Sequence, residues 1–85
     1  MSYNVIWTQD AEEELAAAWV SAADQRAVTI AANEIENQLK FTPLASGESR
    51  TSPLRRVLLC PPLGVGFDII EDDKKVRILA VWLIL

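Results

Sequence analysis

The sequence predicts a single α+β domain in which a helical hairpin packs on a mainly antiparallel four-stranded sheet, in the order β-α-α-β-β-β. Two observations lead to this class. Apolar residues recur at helical spacing between residues 10 and 40, and short alternating segments separated by turn residues fill residues 54–85. A chain of 85 residues is too short to bury a second core, so we expect one domain spanning residues 1–85.

The first half of the chain predicts one strand and two helices. Residues 3–7, YNVIW, alternate as a strand, and the polar residues TQD that follow can cap a first helix reaching about Ala22. Its apolar stripe contains Leu15, Ala18, Trp19 and Ala22. Asp24 is the expected cap of a second helix, whose stripe contains Val28, Ala31, Ala32, Ile35 and Leu39. A break this short predicts an antiparallel hairpin.

The second half predicts a loop and three strands. Residues 42–53, TPLASGESRTSP, have turn composition and no periodicity, so we expect a loop. Strands are expected over residues 54–60, 64–70 and 75–85, joined by Pro61-Pro62 and by the polar turn EDDK at residues 71–74. If each helix reverses the direction of the chain, the first strand is antiparallel to its neighbour in the sheet.

The last strand, KVRILAVWLIL, is apolar on both faces after Arg77. Strict alternation gives it a core face formed by Val76, Ile78, Ala80, Trp82 and Ile84. Because the helices cover one side of the sheet, the remaining side chains are expected to form an apolar stripe on the open side, consisting of Leu79, Val81, Leu83 and Leu85. Such a stripe is typical of a partner surface. The alternative is that curvature, or the loop around Gly47, covers it.

The composition excludes several classes of chemistry. The chain has no histidine and one cysteine, Cys60, so a Ser-His-Asp triad, a Cys-His pair and a His/Cys zinc site are ruled out. We predict no cofactor and no metal site. No apolar run approaches the roughly 20 residues that cross a bilayer, and the N-terminus lacks the order of a signal peptide. We therefore expect a cytoplasmic protein without membrane association.

Charge is unevenly distributed along the chain, whose net charge is -4. Residues 1–40 contain seven acids and two bases, giving -5, whereas residues 41–85 contain five acids and six bases, giving +1. Arg50, Arg55 and Arg56 cluster in an acid-free stretch and are candidate contacts for an anion or RNA. The alternative is that they are solvated arginines around the start of a strand.

The order and lengths of these elements resemble the RelE/ParE toxin superfamily of bacterial toxin-antitoxin and plasmid-stabilisation modules. The segment YNVIWTQDAEEELAAAW is similar to the family's first strand and helix, and LRRVLLCPPLGVGFDIIEDDKKVRILAVW is similar to its closing three strands. The resemblance covers nearly the whole chain. It implies a compact toxin-like fold whose active members are ribosome-dependent endoribonucleases or gyrase poisons, and which pairs with an antitoxin that wraps the sheet and helices.

Departures from the family pattern bear on activity. The family's basic and aromatic positions on the third strand correspond here to Gly64 and to Phe67, which has no hydroxyl, and the chain closes on WLIL where relatives carry His, Arg or Tyr. Arg55 and Arg56 alone match basic positions. Arginine stays protonated and is a poor proton shuttle, and an acidic chain lacks general attraction for nucleic acid. The resemblance therefore implies a toxin homologue with weak or lost ribonuclease activity.

Two functions follow from these observations. The first is a RelE/ParE-type toxin homologue whose partner is a cognate antitoxin-like protein, with RNA, the ribosome or gyrase as targets only if activity is retained. The second is a non-catalytic interaction module or homodimer that uses the open sheet face and the last strand. The acidic run Glu12-Glu13-Glu14 is accounted for by its place on the first turn of a helix, where the helix dipole favours negative charge.

Overall fold

A computed structural model of the protein describes residues 2–45, 48–52 and 55–84. Within these ranges it contains two α-helices, five strands and a short 3-10 turn at Pro43–Ala45. The helices are α1, Gln9–Ser21, and α2, Gln25–Phe41. The strands are β1, Asn4–Trp7; β2, Glu48–Ser52; β3, Arg55–Cys60; β4, Leu63–Ile70; and β5, Lys75–Leu83.

The strands form one mixed sheet in the order β1-β5-β4-β3-β2. The predicted α+β class is confirmed, and each of the four predicted strands is present. A fifth strand, β2, forms within the segment predicted as a loop and pairs antiparallel with β3 at one edge of the sheet. The strand β5 is central, because it pairs with β4 on one side and with β1 on the other.

The predicted direction of the first strand is wrong, because β1 runs parallel to β5. The cause is the direction of α1. The backbone N–H and hydroxyl of Thr8 donate to the carbonyl of Ile78 at 3.1 and 2.8 Å, and Glu14, further along α1, reaches the backbone of Val81. The helix α1 therefore continues along the direction of β5 and does not reverse it, and α2 brings the chain back toward the start of β1.

Side-chain caps fix where both helices begin. The hydroxyl of Thr8 accepts a hydrogen bond from the N–H of Ala11 at 3.3 Å, so Thr8 caps α1 while it also holds the sheet. The carboxylate of Asp24 accepts from the N–H of Ala27 at 3.1 Å, which confirms Asp24 as the predicted cap of α2. Only residues 22–24 separate the end of α1 from the start of α2, and the helices form the predicted hairpin.

The core lies between this hairpin and one face of the sheet. The predicted stripe of α2 is confirmed, with Val28, Ala31, Ile35 and Leu39 buried and Ala32 partly buried. In α1 the buried residues are Ala11 and Ala18, so small side chains bring this helix close to β5. Trp19, which was predicted in the core stripe, is 43% exposed. In β4 the buried residues Val65, Phe67 and Ile69 belong to the same core.

The strict alternation predicted for the last strand is broken by a β-bulge at Leu79. Phe67 pairs with Ile78, but the preceding residue, Gly66, pairs with Ala80, which leaves Leu79 as an extra residue in β5. One inserted residue moves every later side chain of a strand to the opposite face. In β5 the core-facing residues therefore have even numbers before Leu79 and odd numbers after it.

This bulge corrects the partner surface predicted on the last strand. Val81, expected on the open side, is 4% exposed and belongs to the core, and Leu83 packs against the core beside it. Leu79 is the bulged residue itself, and Leu85 lies outside the described residues. Trp82, expected inside, is 38% exposed on the opposite face. The apolar stripe expected from alternation does not form.

Candidate functional site

An apolar groove lies between α1 and α2. Its volume is about 570 Å³. The groove is lined by Trp7, Glu12, Leu15, Ala16, Trp19, Val20, Val28, Thr29, Ala32 and Asn33. Val20 is 72% exposed at its rim, next to the exposed ring of Trp19. Large apolar side chains at the surface of a hairpin are typical of a site that another polypeptide covers.

The floor of this groove is held in place by a hydrogen bond. The indole N–H of Trp7, at the end of β1, donates to the carboxylate of Glu36 on α2 at 3.0 Å. This bond links the first strand to the second helix across the groove and fixes the orientation of the indole. Two carboxylates, those of Glu12 and Glu36, thus accompany an otherwise apolar surface. The groove can accept an apolar side chain and has negative charge nearby to attract a basic one.

The three arginines predicted as an anion contact are not brought together in the described structure. Arg55 and Arg56 begin β3 and point to opposite faces of the sheet. Arg55 is exposed and pairs across the sheet with Asp68, whereas the half-buried Arg56 pairs with the core residue Phe67. Arg50 lies in β2, and its side chain is outside the described part of the structure. The opposite directions of Arg55 and Arg56 do not by themselves form a shared phosphate site, and the role of these arginines as an anion or RNA contact stays a prediction.

A carboxylate further reduces the positive charge of the open sheet face. The guanidinium of Arg77 in β5 donates to both carboxylate oxygens of Asp68 in β4, with a distance of 3.0 Å between Nε and Oδ1. Asp68 is nearly buried. The hydrogen bonds and the charge of Asp68 raise the pKa of Arg77. Asp68 and Arg77 thus neutralise each other on this face of the sheet.

A second group of polar side chains joins β1 to the turn between β4 and β5. The hydroxyl of Tyr3 donates to the two oxygens of Glu71 at 3.0 and 3.1 Å, and Lys74 forms an ion pair with the same carboxylate. The ammonium of Lys74 lies 5.3 Å from the centre of the Tyr3 ring. Sequence reasoning missed this group, because its members are 68 residues apart and only the parallel pairing of β1 joins them.

The same contacts shift the pKa values of all three groups. Hydrogen bonds from Lys74 and then from Tyr3 lower the pKa of Glu71. The hydrogen bond to Glu71 raises the pKa of Lys74, and desolvation followed by the hydrogen bond to Glu71 raises the pKa of Tyr3. Glu71 thus stabilises charged Lys74 and neutral Tyr3, and both of these residues stabilise the ionised form of Glu71. The group is engaged internally and acts as a tie between two parts of the fold.

The single cysteine and the exposed apolar residues of the open face form no catalytic arrangement. Cys60 is partly exposed, and its thiol lies 3.5 Å from a carboxylate oxygen of Glu34. Desolvation and this hydrogen bond raise the pKa of the thiol. On the open face, Trp82 lies above Gly64 and is accompanied by Leu59, which is 59% exposed. None of these arrangements places an acid and a base around a common cavity.

The described residues contain neither a cluster of metal ligands nor a helix that could span a membrane. Among the described residues, no three His, Cys, Asp or Glu side chains are close enough to hold a metal ion together. In the same part of the chain, neither helix combines the length and the apolar character that crossing a bilayer requires.

Comparison with known proteins identifies the fold. The sequence matches no protein-family model and no curated protein. Among solved structures, a chromosomal ParDE toxin-antitoxin system from Pseudomonas aeruginosa matches with a TM-score of 0.75 and 18% identity, covering 98% of this chain and 97% of the other. The RelBE2 toxin-antitoxin complex from Mycobacterium tuberculosis matches with a TM-score of 0.76 and 18% identity, covering 98% and 92%.

A third structure shares the architecture more distantly. The conserved hypothetical protein HP0892 from Helicobacter pylori matches with a TM-score of 0.57 and 12% identity, covering 93% of this chain and 91% of the other. The three matches extend over nearly the whole chain and define a common α+β class with a helical hairpin on a mixed sheet. The chain has the RelE/ParE-type toxin fold, as its element order predicted.

Proposed function

We propose that this chain is a homologue of the toxin component of a bacterial toxin-antitoxin module, that it retains antitoxin binding, and that its ribonuclease activity is weak or lost. The claim that the chain is a toxin homologue is supported by its fold, which is shared with structures of the ParDE system and the RelBE2 complex. The observation that carries the binding part is the apolar groove between α1 and α2, with Trp19 and Val20 exposed at its rim.

The groove suits an amphipathic helix of a partner protein. Grooves between helices bind such segments through apolar side chains on one face of the partner helix. The hairpin and β1 carry a net charge of -5 over residues 1–40, so a binding segment with Lys or Arg beside its apolar face is favoured electrostatically. We therefore expect an antitoxin whose toxin-binding segment is apolar in the middle and basic at its flanks.

The placement of polar groups supports weak or lost ribonuclease activity. Cleavage of RNA needs side chains that move protons and that neutralise the phosphate in one cleft. Here Arg77 is held by Asp68, Tyr3 and Lys74 are both held by Glu71, and Phe67 is buried in the core. The polar groups named here contact one another in two separate sets. In the described ranges they do not surround a common cavity.

Substitution in the groove tests the binding part of the proposal. Ala16 lines the groove and is exposed, so Ala16→Trp should fill it without disturbing the core. With the product of the adjacent small gene as ligand, we expect Ala16→Trp to weaken binding at least ten-fold in isothermal titration calorimetry. The matched control is Ala17→Trp, because Ala17 is its neighbour on α1 and points away from the groove. Equal affinities for Ala16→Trp and the unmodified chain would remove the groove from the proposal.

Growth assays test the functional part. Expression of the chain alone in a bacterial host should cause little or no growth arrest, and co-expression with the adjacent gene should yield a complex that purifies as one species. Strong growth arrest with cleaved mRNA would show that activity is retained and would contradict the proposed loss of activity.

The alternative function is a homodimeric interaction module. The observation that favours it is the exposure of Trp82 and Leu59 on the open face of the sheet. Failure to form a complex with the product of the adjacent gene, together with a dimeric mass in solution, would support this alternative.

A further inference from the structure

A pocket of about 390 Å³, which we call the end pocket, lies at the end of the domain where α1 and α2 are connected. One wall consists of residues 21–24 and Ala27, which end α1 and lead into α2. The other wall consists of Pro62, between β3 and β4, and of Leu83 and Ile84 at the end of β5. No described residue of the end pocket also lines the groove between the helices, so the two concavities are separate sites.

Hydrogen bonds within the fold fix both walls of the end pocket. On the strand side, the N–H of Ile84 donates to the carbonyl of Pro62 at 2.8 Å. On the helix side, Oδ1 of Asp24 accepts from the N–H of Ala27 at 3.1 Å. The pocket is therefore formed before any ligand arrives, and its volume falls in the range of roughly 300–1,000 Å³ that is typical of sites for small molecules.

The interior of the end pocket is apolar. Ala22 and Ala27 are half-buried and small, so they leave space that longer side chains would occupy. Pro62, Leu83 and Ile84, also half-buried, present hydrocarbon surface to the same space. Transfer of an apolar group from water into these surroundings is favourable, so a ligand of this pocket has an apolar body.

The polar groups of the end pocket favour a cation. Among its described residues, Ser21 and Asp24 alone have polar side chains, a hydroxyl and a carboxylate. Oδ1 of Asp24 caps α2 and offsets the positive end of that helix, while Oδ2 makes no hydrogen bond or ion pair with another described residue. The helix α1 also ends here, with the negative end of its dipole and no basic residue in its last turn. The nearest base in the sequence, Arg26, is not part of the lining.

We propose that the end pocket binds a small primary amine, with its apolar body between the two walls and its ammonium group on the Asp24 carboxylate and the Ser21 hydroxyl. An ammonium has three N–H donors, so it can bond to Oδ2 of Asp24, to Oγ of Ser21 and to one water at the same time. A hydrogen bond between two charged groups is stronger than one between neutral groups. The inference rests on this pocket alone and does not require the toxin-antitoxin function.

Other classes of ligand match fewer groups of the end pocket. A carboxylate or a phosphate would be repelled by Asp24 and by the negative end of α1. A neutral apolar molecule would leave the carboxylate without a partner. A lysine side chain of a second copy or of a partner protein brings an ammonium group, but its thin hydrocarbon stem leaves much of the apolar space empty. A small amine with a bulkier apolar body matches both parts of the pocket.

Titration of the full ¹⁵N-labelled chain, observed by NMR, tests the proposal. The probe is 2-phenylethylamine, and its neutral analogue is 2-phenylethanol, which has the same apolar body without the charge. With the amine we expect saturable shift changes at the amides of Ser21, Asp24, Leu83 and Ile84, and an affinity at least five-fold above that of the alcohol. The anionic analogue 3-phenylpropanoate should show no saturable binding.

Substitution of Asp24 separates its charge from its role as a helix cap. Asparagine caps a helix about as well as aspartate, so Asp24→Asn should keep the fold and lower the affinity for the amine at least five-fold, without changing that for the alcohol. Asp72→Asn, in the turn between β4 and β5, removes an equal charge away from the pocket and should have no effect. Ala23→Trp places a large side chain on an exposed residue of the pocket and should abolish binding of both probes.

The proposal is overturned if the amine shows no saturable binding, if the alcohol binds equally well, or if Asp24→Asn leaves the affinity for the amine unchanged. Shift changes centred on Trp7 and Trp19 would place the amine in the groove between the helices and would also overturn it. Tighter binding of the peptide phenylalanyl-glycyl-glycinamide than of 2-phenylethylamine would identify the first residue of a polypeptide as the occupant and would overturn the assignment to a small molecule. These outcomes do not depend on the binding of an antitoxin to the groove.

Discussion

Gly64 and Trp82 depend on each other on the open face of the sheet. They pair across β4 and β5, and a Cβ atom added at Gly64 would lie 2.5 Å from Cε2 and Nε1 of the Trp82 indole. No side chain is therefore compatible with the present position of the ring. The absence of a side chain at residue 64 determines where the largest apolar group of this face lies.

We predict that Gly64→Ala displaces the Trp82 ring and destabilises the protein by about 1–3 kcal/mol, the usual range for an added carbon in a packed site. Urea unfolding gives the free energy, and the indole N–H resonance of Trp82 reports the displacement. Gly66→Ala is the matched control, because a Cβ there meets its nearest neighbours at 3.9 and 4.0 Å. If both variants are equally stable, the packing of Trp82 on Gly64 does not contribute to stability.

The contacts of Glu71 predict an acid-sensitive contribution to stability. Its pKa is lowered in the folded protein by Lys74 and Tyr3, so the folded state favours the ionised form. The contribution is therefore present above the ordinary glutamate pKa of about 4.3 and is lost as the pH falls through the lowered folded value. Thermal unfolding of Glu71→Gln should show a reduced midpoint at pH 7, and the difference from the unmodified chain should shrink as the pH falls toward 3.

A neighbouring acid provides the control for this pH dependence. Asp72 lies in the same turn and makes no hydrogen bond or ion pair among the described residues, so Asp72→Asn removes the same charge without removing contacts. Its midpoint should follow that of the unmodified chain across the pH range. A constant difference between Glu71→Gln and the unmodified chain from pH 7 to pH 3 would mean that ionisation of Glu71 is not coupled to folding.

At the scale of elements, the bulge at Leu79 decides what β5 shows to each side of the sheet. It lets Val76 and Ile78 on one half, and Val81 and Leu83 on the other, face the same core. Without the extra residue, the second pair would point away from the helices. The bulge thus allows β5 to place apolar side chains in the core along its whole length, which strict alternation of its residues would not allow.

Deletion of Leu79 is predicted to be strongly destabilising. The register with β4 would become continuous, and Val81 and Leu83 would exchange faces with Trp82. Loss of burial for two large aliphatic side chains amounts to about 3–6 kcal/mol, which is a large part of the 5–15 kcal/mol typical of a domain. Circular dichroism and urea unfolding measure the loss. Leu79→Ala, which retains the residue count, should cost far less, and similar losses for both variants would contradict the role of the bulge.

Periodicity predicted the helices well and the last strand poorly, for a physical reason. In α2 the residues Val28, Ala31, Ile35 and Leu39 recur at helical spacing and are buried, so the buried face is readable from the sequence. In β5 every residue after Arg77 is apolar, and a pattern without polar residues contains no signal for a change of face. The exposed position of Trp19 was missed because Ala11 and Ala18, which are small, form the contact of α1 with the sheet.

At the scale of the molecule, the strand order was the least predictable feature. The parallel pairing of β1 with β5 follows from the direction of α1, which is set by the bonds of Thr8 to Ile78, and these residues are 70 positions apart. The strand β2 pairs with β3 although its own sequence, ESRTS, has no apolar alternation. Both features depend on distant partners, so local pattern cannot encode them.

The distribution of charge over the molecule was predictable and has a clear place in the fold. The negative half of the sequence forms β1 and both helices, and Glu12 lines the groove between these helices. In the second half, Arg77 of the sheet is neutralised by Asp68, and Arg55 and Arg56 face opposite sides of β3. The anion or RNA contact predicted for Arg50, Arg55 and Arg56 stays a prediction.

The central position of β5 has a consequence for how the protein is made. Asn4 pairs with Lys75, so the first strand to emerge during synthesis has its place in the sheet only after β5 has followed the rest of the fold out of the ribosome. Until then the apolar faces of α1 and α2 lack the strand that covers most of α1. The nascent chain therefore cannot complete its sheet until β5 has been synthesised.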